Sequence, residues 1–163
     1  MSISIQAAEE KDLAKIHRVI HLAHAKNRRN GYYFPISRIS QRNLLLRMRR
    51  DQFYVLRYHD EIIGTVALRR RNHSLEICSL TVLDQYRGQG FGKKLLTFAE
   101  NKAKASGWSR VMLQTLKQHA TLRAFYQRSG YRPLPGSRNR RGKWIALYKT
   151  LPSAVSDSLE KMK

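Results

Sequence analysis

Acidic residues and cysteine are both scarce in this 163-residue chain. Only 11 Asp and Glu oppose 32 Lys and Arg, which gives a formal net charge of +21 at pH 7. Residues 13–50 and 101–156 contain no acidic residue. Cys78 is the single cysteine. A disulfide framework within the chain is therefore excluded, and a reducing compartment is expected.

Long hydrophobic runs are also missing. No stretch approaches the ~18 consecutive apolar residues of a membrane span, and the N-terminal residues lack the basic start and apolar run of a secretory signal. We therefore expect an unprocessed cytoplasmic protein with no membrane partner. Repeats and low-complexity tracts are absent too, so one domain over 1–151 and a peripheral, flexible tail over 152–163 are predicted.

The positive charge attracts polyanions but does not identify a partner. Nucleic acid, the ribosome, acidic proteins and the phosphates of a cofactor would all be drawn to such a field. Two interpretations stay open at this stage. The charge reflects either an ordinary solvated surface or true association with nucleic acid.

The most informative segment is an apolar strand that runs into a glycine-spaced turn and then into an amphipathic helix. The strand covers Leu75 to Val82, and the turn reads Arg-Gly-Gln-Gly-Phe-Gly-Lys from Arg87 to Lys93. Gly88, Gly90 and Gly92 can adopt positive φ and let successive N–H groups converge on one point. The helix that follows adds the positive end of its dipole. This pattern predicts an anion-binding loop.

Two common phosphate motifs do not fit this loop. A phosphate-binding loop of the Walker type needs G-x-x-x-x-G-K-[ST], and here Lys93 is followed by Lys94. A dinucleotide-binding turn needs G-x-G-x-x-G and an acidic residue about twenty positions further on, whereas this chain has G-x-G-x-G and no such acid. A kinase or dinucleotide-dependent enzyme is therefore disfavoured.

The remaining pattern, R-x-x-G-x-G from Arg87 to Gly92, resembles the acyl-CoA pyrophosphate motif of the GNAT superfamily of N-acetyltransferases. A second segment, Phe125-Tyr126-Gln-Arg-Ser-Gly-Tyr131, is similar to the F-Y-x-[KR]-x-G-[FY] motif of the same family. With the apolar and turn patterns along the chain, the resemblance implies a single α/β domain. It has a mixed central sheet, antiparallel and then parallel, of about six to seven strands flanked by about four helices.

The resemblance implies acetyl-CoA as co-substrate and no metal. It places the pyrophosphate on the loop and the pantetheine arm on free backbone groups at the strand end, where neighbouring strands would separate. The implied cofactor-binding residues are Leu80, Thr81, Val82, Arg87, Gly88, Gln89, Gly90, Phe91, Gly92 and Lys93.

Two catalytic residues are expected. The family's tyrosine, which approaches the CoA sulfur as general acid, corresponds to Tyr126. Glu76 is the only acidic residue on the central strand and is the candidate general base. An ion pair with a nearby arginine is an equal alternative for Glu76, and Cys78 is interpreted as a core residue because nothing marks it as activated.

Acceptor contacts are less clearly marked. In the resembled family the first two helices and their connection border the acceptor groove, which makes Tyr32, Tyr33 and Phe34 candidates. Packing against the sheet explains the same aromatic run equally well. His17, His21 and His24 share one side of the first helix, and we interpret them as a solvated or groove-lining stripe rather than a metal site, since no carboxylate or cysteine accompanies them.

The sequence therefore predicts an N-acetyltransferase that moves an acetyl group from acetyl-CoA directly to a primary amine. The acceptor is a small amine, an antibiotic or a protein amine, and the protein is a monomer or a homodimer. The alternative is a non-catalytic CoA-sensing module, or one that binds nucleic acid or the ribosome on the same fold.

Overall fold

The structure, a computed structural model, describes residues 2–136 and 142–152. Its strands form one sheet. In chain order they are β1 Ile3–Ala7, β2 Gln52–Tyr58, β3 Glu61–Arg71, β4 Ser74–Val82, β5 Arg110–Leu116, β6 Arg132–Pro133 and β7 Trp144–Thr150. The helices are α1 Leu13–Ala23, α2 Ala25–Arg29, α3 Gln41–Arg50, α4 Phe91–Ala105 and α5 Ala120–Arg128.

The strand order across the sheet is β1-β2-β3-β4-β5-β7-β6. β1 pairs antiparallel with β2, and β2 with β3. β4 and β5 pair in parallel through Leu75↔Val111 and Glu76↔Met112. β7 then pairs antiparallel with both β5 and β6. The predicted α/β class and the mixed, antiparallel then parallel sheet are therefore confirmed.

One helix boundary differs from the sequence prediction. The sequence after Pro35 predicts a second basic helix that contains Ile39, Leu45 and Met48, but α3 begins at Gln41. Ser40 is the cap, because its hydroxyl oxygen accepts a hydrogen bond from the N–H of Asn43 at 3.2 Å. A capping serine has non-helical backbone angles, so residues before it cannot belong to the helix. Ile39 instead closes a short 3₁₀ turn, Pro35–Arg38.

The chain groups into two compact units. The first comprises Met1–Arg69 and Ile77–Ala99. Its core lies where α1, α3 and the Pro35–Arg38 turn pack on the sheet, since residues at helical spacing meet alternate residues of β2 and β3. The buried members of this cluster are Ile16, Val19, Ile20, Ile36, Leu44, Phe53, Val55, Ile62 and Ala67. Cys78 is partly buried against the same cluster, as the sequence predicted.

The second unit comprises Arg70–Glu76 and the chain from Glu100 onward. Its helix α5 carries Tyr126, and its strands β5 and β7 contribute alternate buried residues to the core. The buried apolar residues of this unit are Leu75, Ala103, Val111, Leu113, Leu116, Tyr126, Tyr131, Leu147 and Leu151.

The few carboxylates are largely used in internal ion pairs. Asp12 is 4 % exposed and accepts from Arg57 at 2.9 Å, and Asp51 is 7 % exposed and accepts from Arg69 at 2.9 Å. Glu100 pairs with Lys149 at 3.0 Å in the same manner. Because each of these ion pairs is neutral, the whole net positive charge remains on the rest of the protein.

Within the described residues, no helix is both long enough and apolar enough to cross a membrane. The predicted C-terminal tail, 152–163, lies outside the described residues from position 153 onward, and so does the middle of the basic β6–β7 connection, 137–141.

Candidate active site

The glycine-rich loop before α4 has the backbone geometry of an anion cradle. Gly88 has φ +75° and Gly90 has φ +84°, which are left-handed values that favour glycine. A Cβ added at either position would meet no atom within 4 Å, so the space beside the loop is open. Gly92, for which the sequence also allows positive φ, lies in the first turn of α4 and is helical. Two of the three glycines thus shape the turn.

The helix that follows supplies the binding groups. The N–H of Lys94 donates to the Gly90 carbonyl at 3.0 Å, which places Gly90 at the start of α4. The N–H groups of the first turn of an α-helix have no acceptor within the helix and carry the positive end of its dipole. Lys93 is exposed beside them. A loop and first turn with this geometry can bind a phosphate-bearing ligand.

Arg87 is a structural part of this loop. Its Nε donates to the Val82 carbonyl at 3.1 Å, and its Nη1 donates to Asp84 at 3.2 Å. Its Nη2 donates to the Ala23 carbonyl at the end of α1. The guanidinium therefore links the end of β4 to the end of α1. Arg87 thus holds the loop in place and also adds positive charge beside it.

Aromatic packing fixes the other end of the loop. Phe91 is 5 % exposed, and its ring centroid lies 5.7 Å from that of Tyr58 and 6.2 Å from that of Tyr86. The Tyr58 and Tyr86 centroids are themselves 5.8 Å apart in an edge-to-face arrangement. Such a trio resists rotation of the first residue of α4. The loop is thus anchored on both sides of the two glycines with positive φ.

The end of β4 departs from regular strand geometry. Ser79 has φ +53°, a left-handed value that is uncommon for a non-glycine residue. Its carbonyl accepts a 2.7 Å hydrogen bond from the Thr65 hydroxyl, which also lies 2.8 Å from the Thr81 hydroxyl. This local kink re-aims the backbone of Leu80, Thr81 and Val82, the segment predicted to hold pantetheine.

Gly64 permits the close approach of β3 to this segment. A Cβ at Gly64 would lie 2.7 Å from the Thr81 carbonyl oxygen and 3.1 Å from Leu95 Cδ1. We expect Gly64→Ala to lower the free energy of unfolding by ~2 kcal/mol, because backbone cannot move aside as a flexible side chain does. The affinity for acetyl-CoA should fall as the Thr81 segment shifts. Urea denaturation and calorimetry check both effects, and an unchanged midpoint and affinity would contradict the packing described.

His24 is a buried titratable residue that directly follows Ala23, whose carbonyl accepts a hydrogen bond from Arg87. It is the C-terminal cap of α1 and is 7 % exposed, so a solvated position is wrong for His24, whereas His17 is half-buried and His21 is exposed. Its Nδ1 lies 3.3 Å from Asn27 Nδ2, and its ring packs at 5.2 Å from that of Phe34. Among the described residues its Nε2 has no hydrogen-bond partner. Burial, together with the charges of Arg87 and Arg28, lowers the pKa of His24 from 6.5 to about 4.

This lowered pKa predicts a loss of stability in mild acid. The unfolded chain binds a proton at His24 near pH 6.5, whereas the folded chain does not until about pH 4. The free energy of unfolding should therefore fall as the pH drops through this window, by ~2 kcal/mol between pH 7 and pH 5. Urea midpoints across that range check it. His24→Asn keeps an acceptor for Asn27 and should flatten the dependence, so an equal slope in both proteins would exclude His24 as its source.

The predicted acceptor aromatics separate into different environments. Phe34 is partly buried against the core cluster and His24, which fits the packing interpretation. Tyr32 is half-buried, and Tyr33 is 56 % exposed with the Arg38 guanidinium 5.4 Å from its ring centre. Tyr33 is the most exposed of the three. In the described part of the chain, no group of three or more His, Cys, Asp or Glu is arranged to hold a metal ion.

In the second unit, Tyr126 lies near the C-terminal end of α5. It is 6 % exposed, and its ring packs edge-to-face with Phe125 and Tyr131 at 5.2 and 5.9 Å. Burial raises the pKa of Tyr126 well above its ordinary value, so the hydroxyl stays protonated at neutral pH. A protonated phenol can donate to a leaving thiolate.

A polar network supports this helix end, and the sequence reasoning missed it. The Tyr131 hydroxyl donates to Glu100 at 2.9 Å, and Lys149 donates to the other oxygen of Glu100 at 3.0 Å. The Tyr131 N–H donates to the Tyr126 carbonyl at 3.0 Å, directly after Gly130 with φ +92°. One signal was available, since Glu100 is the only acidic residue between positions 85 and 156.

Glu76, the predicted base, is 6 % exposed and forms an ion pair. Arg71 Nε donates to its Oε2 at 2.6 Å, and the Arg71 side chain is half exposed. The arginine pair that the sequence left open is therefore present, which does not exclude a further role for the carboxylate.

Comparison with known proteins gives a consistent match. The model of the acetyltransferase (GNAT) family matches residues 13–131. The chain is similar to the PaiA N-acetyltransferase from Thermoplasma acidophilum in complex with coenzyme A, at a TM-score of 0.80 and 22 % identity over 93 % of this chain and 100 % of that one. It is also similar to the ribosomal-protein-S18-alanine N-acetyltransferase from Escherichia coli, with a TM-score of 0.75 and 18 % identity over 94 % and 96 %.

A third similar structure is the IAA acetyltransferase from Bacillus cereus, with a TM-score of 0.69 and 23 % identity over 92 % of this chain and 100 % of that one. At such identities the structural likeness shows the fold. A search of curated proteins found no match.

Proposed function

Since the chain belongs to the acetyltransferase (GNAT) family, we propose that it transfers an acetyl group from acetyl-CoA to a primary amine. The observation that carries this proposal is the open loop at the N-terminus of α4, with Gly88 and Gly90 at positive φ. In the reaction the amine nitrogen attacks the thioester carbonyl, a C–N bond forms and the C–S bond breaks. The amine loses a proton and the CoA thiolate gains one. Direct transfer needs no covalent enzyme intermediate, because alignment of the two substrates supplies much of the acceleration.

The cofactor would lie along the first unit. In our proposal, the N–H groups from Gly88 to Lys93, including those of Gln89 and Phe91, bind the pyrophosphate together with the Lys93 ammonium. Arg87 positions this loop through its three acceptors. The backbone of Leu80, Thr81 and Val82 pairs with the amide groups of pantetheine as an added strand would.

Tyr126 serves as the general acid in this proposal. The support for this role is the place of Tyr126 in the F-Y motif; its hydroxyl holds a proton at neutral pH, and burial also makes it a weaker acid. The Tyr131–Glu100–Lys149 network contributes to the stability of the unit that contains this helix.

Glu76 is proposed as the base that accepts the amine proton, through water. Its ion pair with Arg71 offers a purely structural alternative. Glu76→Gln separates the two, because a base is lost whereas a hydrogen bond with Arg71 is retained. A structural role predicts a lower free energy of unfolding with unchanged turnover, and a catalytic role predicts lower turnover that recovers as the pH rises and the amine deprotonates.

The acceptor is proposed to be a small amine, an antibiotic amine or a protein amine, approached from the side of Tyr32, Tyr33 and Phe34. Exposed Tyr33 is the best placed of the three to contact it. The name of one structural relative specifies the alanine of a ribosomal protein, which supports including protein N-termini among the candidates. The positive surface disfavours strongly cationic acceptors such as polyamines.

Release of free CoA thiol with a panel of amines tests the proposal. The panel contains short peptides that differ in their N-terminal residue, lysine peptides with blocked N-termini, small amines and aminoglycosides. We expect saturable turnover with one class and a product heavier by one acetyl group in mass spectrometry. Absence of transfer to every class, with acetyl-CoA bound, would favour a non-catalytic CoA-sensing or nucleic-acid-binding module. We further propose a cytoplasmic monomer or homodimer.

A further inference from the structure

Three arginines lie around one buried carboxylate where α3 ends. Asp51 directly follows α3, and its N–H donates to the Arg47 carbonyl at 2.8 Å. Arg50 donates to the two oxygens of Asp51, from Nε at 2.9 Å and from Nη2 at 3.1 Å. Arg69 donates to the same carboxylate from Nη2 at 2.9 Å and from Nε at 3.1 Å. We call Arg47, Arg50, Asp51 and Arg69 the Asp51 cluster.

Arg47 is the member of the cluster that no carboxylate binds. It is half-buried, and it lies three positions before Arg50 and four before Asp51, spacings that make residues neighbours on the surface of a helix. Among the described residues its guanidinium has no hydrogen-bond or ion-pair partner. Burial lowers the pKa of Arg47, and the charges of Arg69 and Arg50 lower it further. The Arg47 side chain therefore lies where its own charge is disfavoured.

Two positive charges of the cluster are not compensated by Asp51, because three guanidinium groups share one carboxylate. Residues 13–50, which include all of α1 and α3, contain no acid. Glu10 and Asp12, which precede α1, are bound by Arg49 at 2.7 Å and by Arg57 at 2.9 Å. The C-terminal dipole of α3 is equivalent to about half a negative charge and offsets only part of the excess. An anion from outside the chain would balance the cluster.

The chemistry of the cluster favours an oxyanion. A guanidinium group is planar and donates through a fork of N–H groups that matches a carboxylate or a phosphate. Asp51 shows this geometry within the cluster, since Arg50 and Arg69 each bind it through Nε and Nη2. Arg47 adds a third fork, whose N–H groups have no acceptor within the described part of the chain. Partial burial also reduces the screening of such a contact by salt.

The cluster lies on the side of the sheet that carries α1 and α3. Met48, the residue after Arg47, packs against the core cluster between these helices and the sheet, and so do Cys78 and Phe34. Cys78 comes two positions before the Leu80–Val82 segment, where we place pantetheine. Phe34 belongs to the aromatic run from which we propose that the acceptor approaches. An anion at Arg47 would therefore lie on the acceptor side of the first unit.

We propose that Arg47, supported by Arg50 and Arg69, binds an anionic group of the acceptor, either a carboxylate or a phosphate. The acceptor would then be an amine that carries its own negative charge, such as an amino acid, an acidic peptide or a phosphorylated amine. This inference rests on the proposed acetyl transfer for the identity of the ligand, whereas the anion site itself can be tested without it. Exposed cations elsewhere would attract such an acceptor, and the half-buried Arg47 would orient it.

Thermal unfolding with succinate or inorganic phosphate tests the site without any acetyl transfer. Each salt is compared with chloride at equal ionic strength, so that general screening is the same. We expect at least one of the two anions, at saturation, to raise the unfolding temperature of the unmodified protein by about 3 °C. The rise should persist in Gly90→Glu, in which the cofactor loop is blocked, and it should disappear in Arg47→Met.

The same variant separates anion binding from a structural role. Arg47→Met keeps an unbranched side chain and removes a charge that burial disfavours, so its urea midpoint in chloride should equal or exceed that of the unmodified protein. The matched control is Arg49→Met, on the same helix but exposed and paired with Glu10, which should keep the rise caused by the anion. The site is overturned if neither anion stabilises the unmodified protein, if Arg47→Met keeps the rise or has a clearly lower urea midpoint, or if Arg49→Met loses the rise equally.

Matched acceptors then test the identity of the ligand. Each pair presents the same amine with and without the anionic group: glutamate and glutamine peptides, amino acids and their amides, and phosphoethanolamine and ethanolamine. We expect kcat/KM to be at least about tenfold higher for the anionic member of one pair, and Arg47→Met to remove this preference mainly by raising KM. Transfer without a preference, or a preference that Arg47→Met retains, would overturn the inference and leave the proposed function intact. Stabilisation by the anion with no transfer to any acceptor would instead overturn both the proposed function and the assignment of the anion to an acceptor.

Discussion

Gly90→Glu should lower the affinity for acetyl-CoA by at least about a hundredfold while the protein remains folded. The new side chain would project into the open space beside the loop, where a Cβ meets no atom within 4 Å. Its carboxylate would then lie where we place the pyrophosphate, and it would repel that anion and compensate the helix dipole. Calorimetric titration of both proteins with acetyl-CoA measures the change.

A close control is available at the other end of α4. Gly107 has φ +83°, and a Cβ there also meets no atom within 4 Å. Gly107→Glu therefore adds the same charge with the same backbone strain, roughly 1–2 kcal/mol, away from the loop. It should lower stability to a similar extent and leave the affinity unchanged. If the two variants bind acetyl-CoA equally well, the loop is not the cofactor site.

Tyr126→Phe should lower kcat by about a hundredfold with little change in acetyl-CoA affinity, because it removes a proton donor and keeps the ring. The ring accounts for the packing of Tyr126 against Phe125 and Tyr131. Steady-state rates with the best acceptor of the amine panel, and calorimetry with acetyl-CoA, measure the two quantities.

Tyr131→Phe is the control for this change. It also removes one hydroxyl from a buried tyrosine, but here the lost group donates to Glu100. A buried carboxylate deprived of a donor costs about 1–3 kcal/mol, so this variant should unfold at lower urea concentration and keep its kcat. The same drop in kcat for both variants would remove Tyr126 from the proton transfer.

The strand, the turn and the helix of the cofactor loop could be predicted because their signals are local. Positive φ at Gly88 and Gly90 and the start of α4 next to Gly90 both follow from neighbouring residues. Gly92, for which the sequence also allows positive φ, is helical.

Contacts between residues distant in the sequence could not be predicted in the same way. Arg87 and the Ala23 carbonyl are 64 positions apart, and no periodicity connects them. His24 was placed on the polar side of α1 because the helical wheel was extended one residue past the end of the helix at Ala23. The sequence has many arginines and does not indicate which of them pairs with Glu76. In the structure the β3–β4 connection brings Arg71 to it.

The structure shows where several of the few acidic residues are used, which the composition alone does not. Asp12, Asp51 and Glu100 stabilise the interior of the two units through arginine, lysine and tyrosine partners. Because those pairs are neutral, the net positive charge of the chain is carried by its other lysines and arginines. The net charge therefore informs which molecules the protein attracts, and the glycine loop informs which cofactor we propose for it.

The central claim is that the loop before α4 is a specific acetyl-CoA site and not one more basic surface. Calorimetric titration of the unmodified protein with acetyl-CoA at low and high salt tests it most directly, because screening removes diffuse attraction and spares hydrogen bonds from a preformed cradle. We predict one-to-one binding that persists at high salt. Weak binding that disappears with salt would contradict the claim and leave the positive surface as the only basis for binding anions.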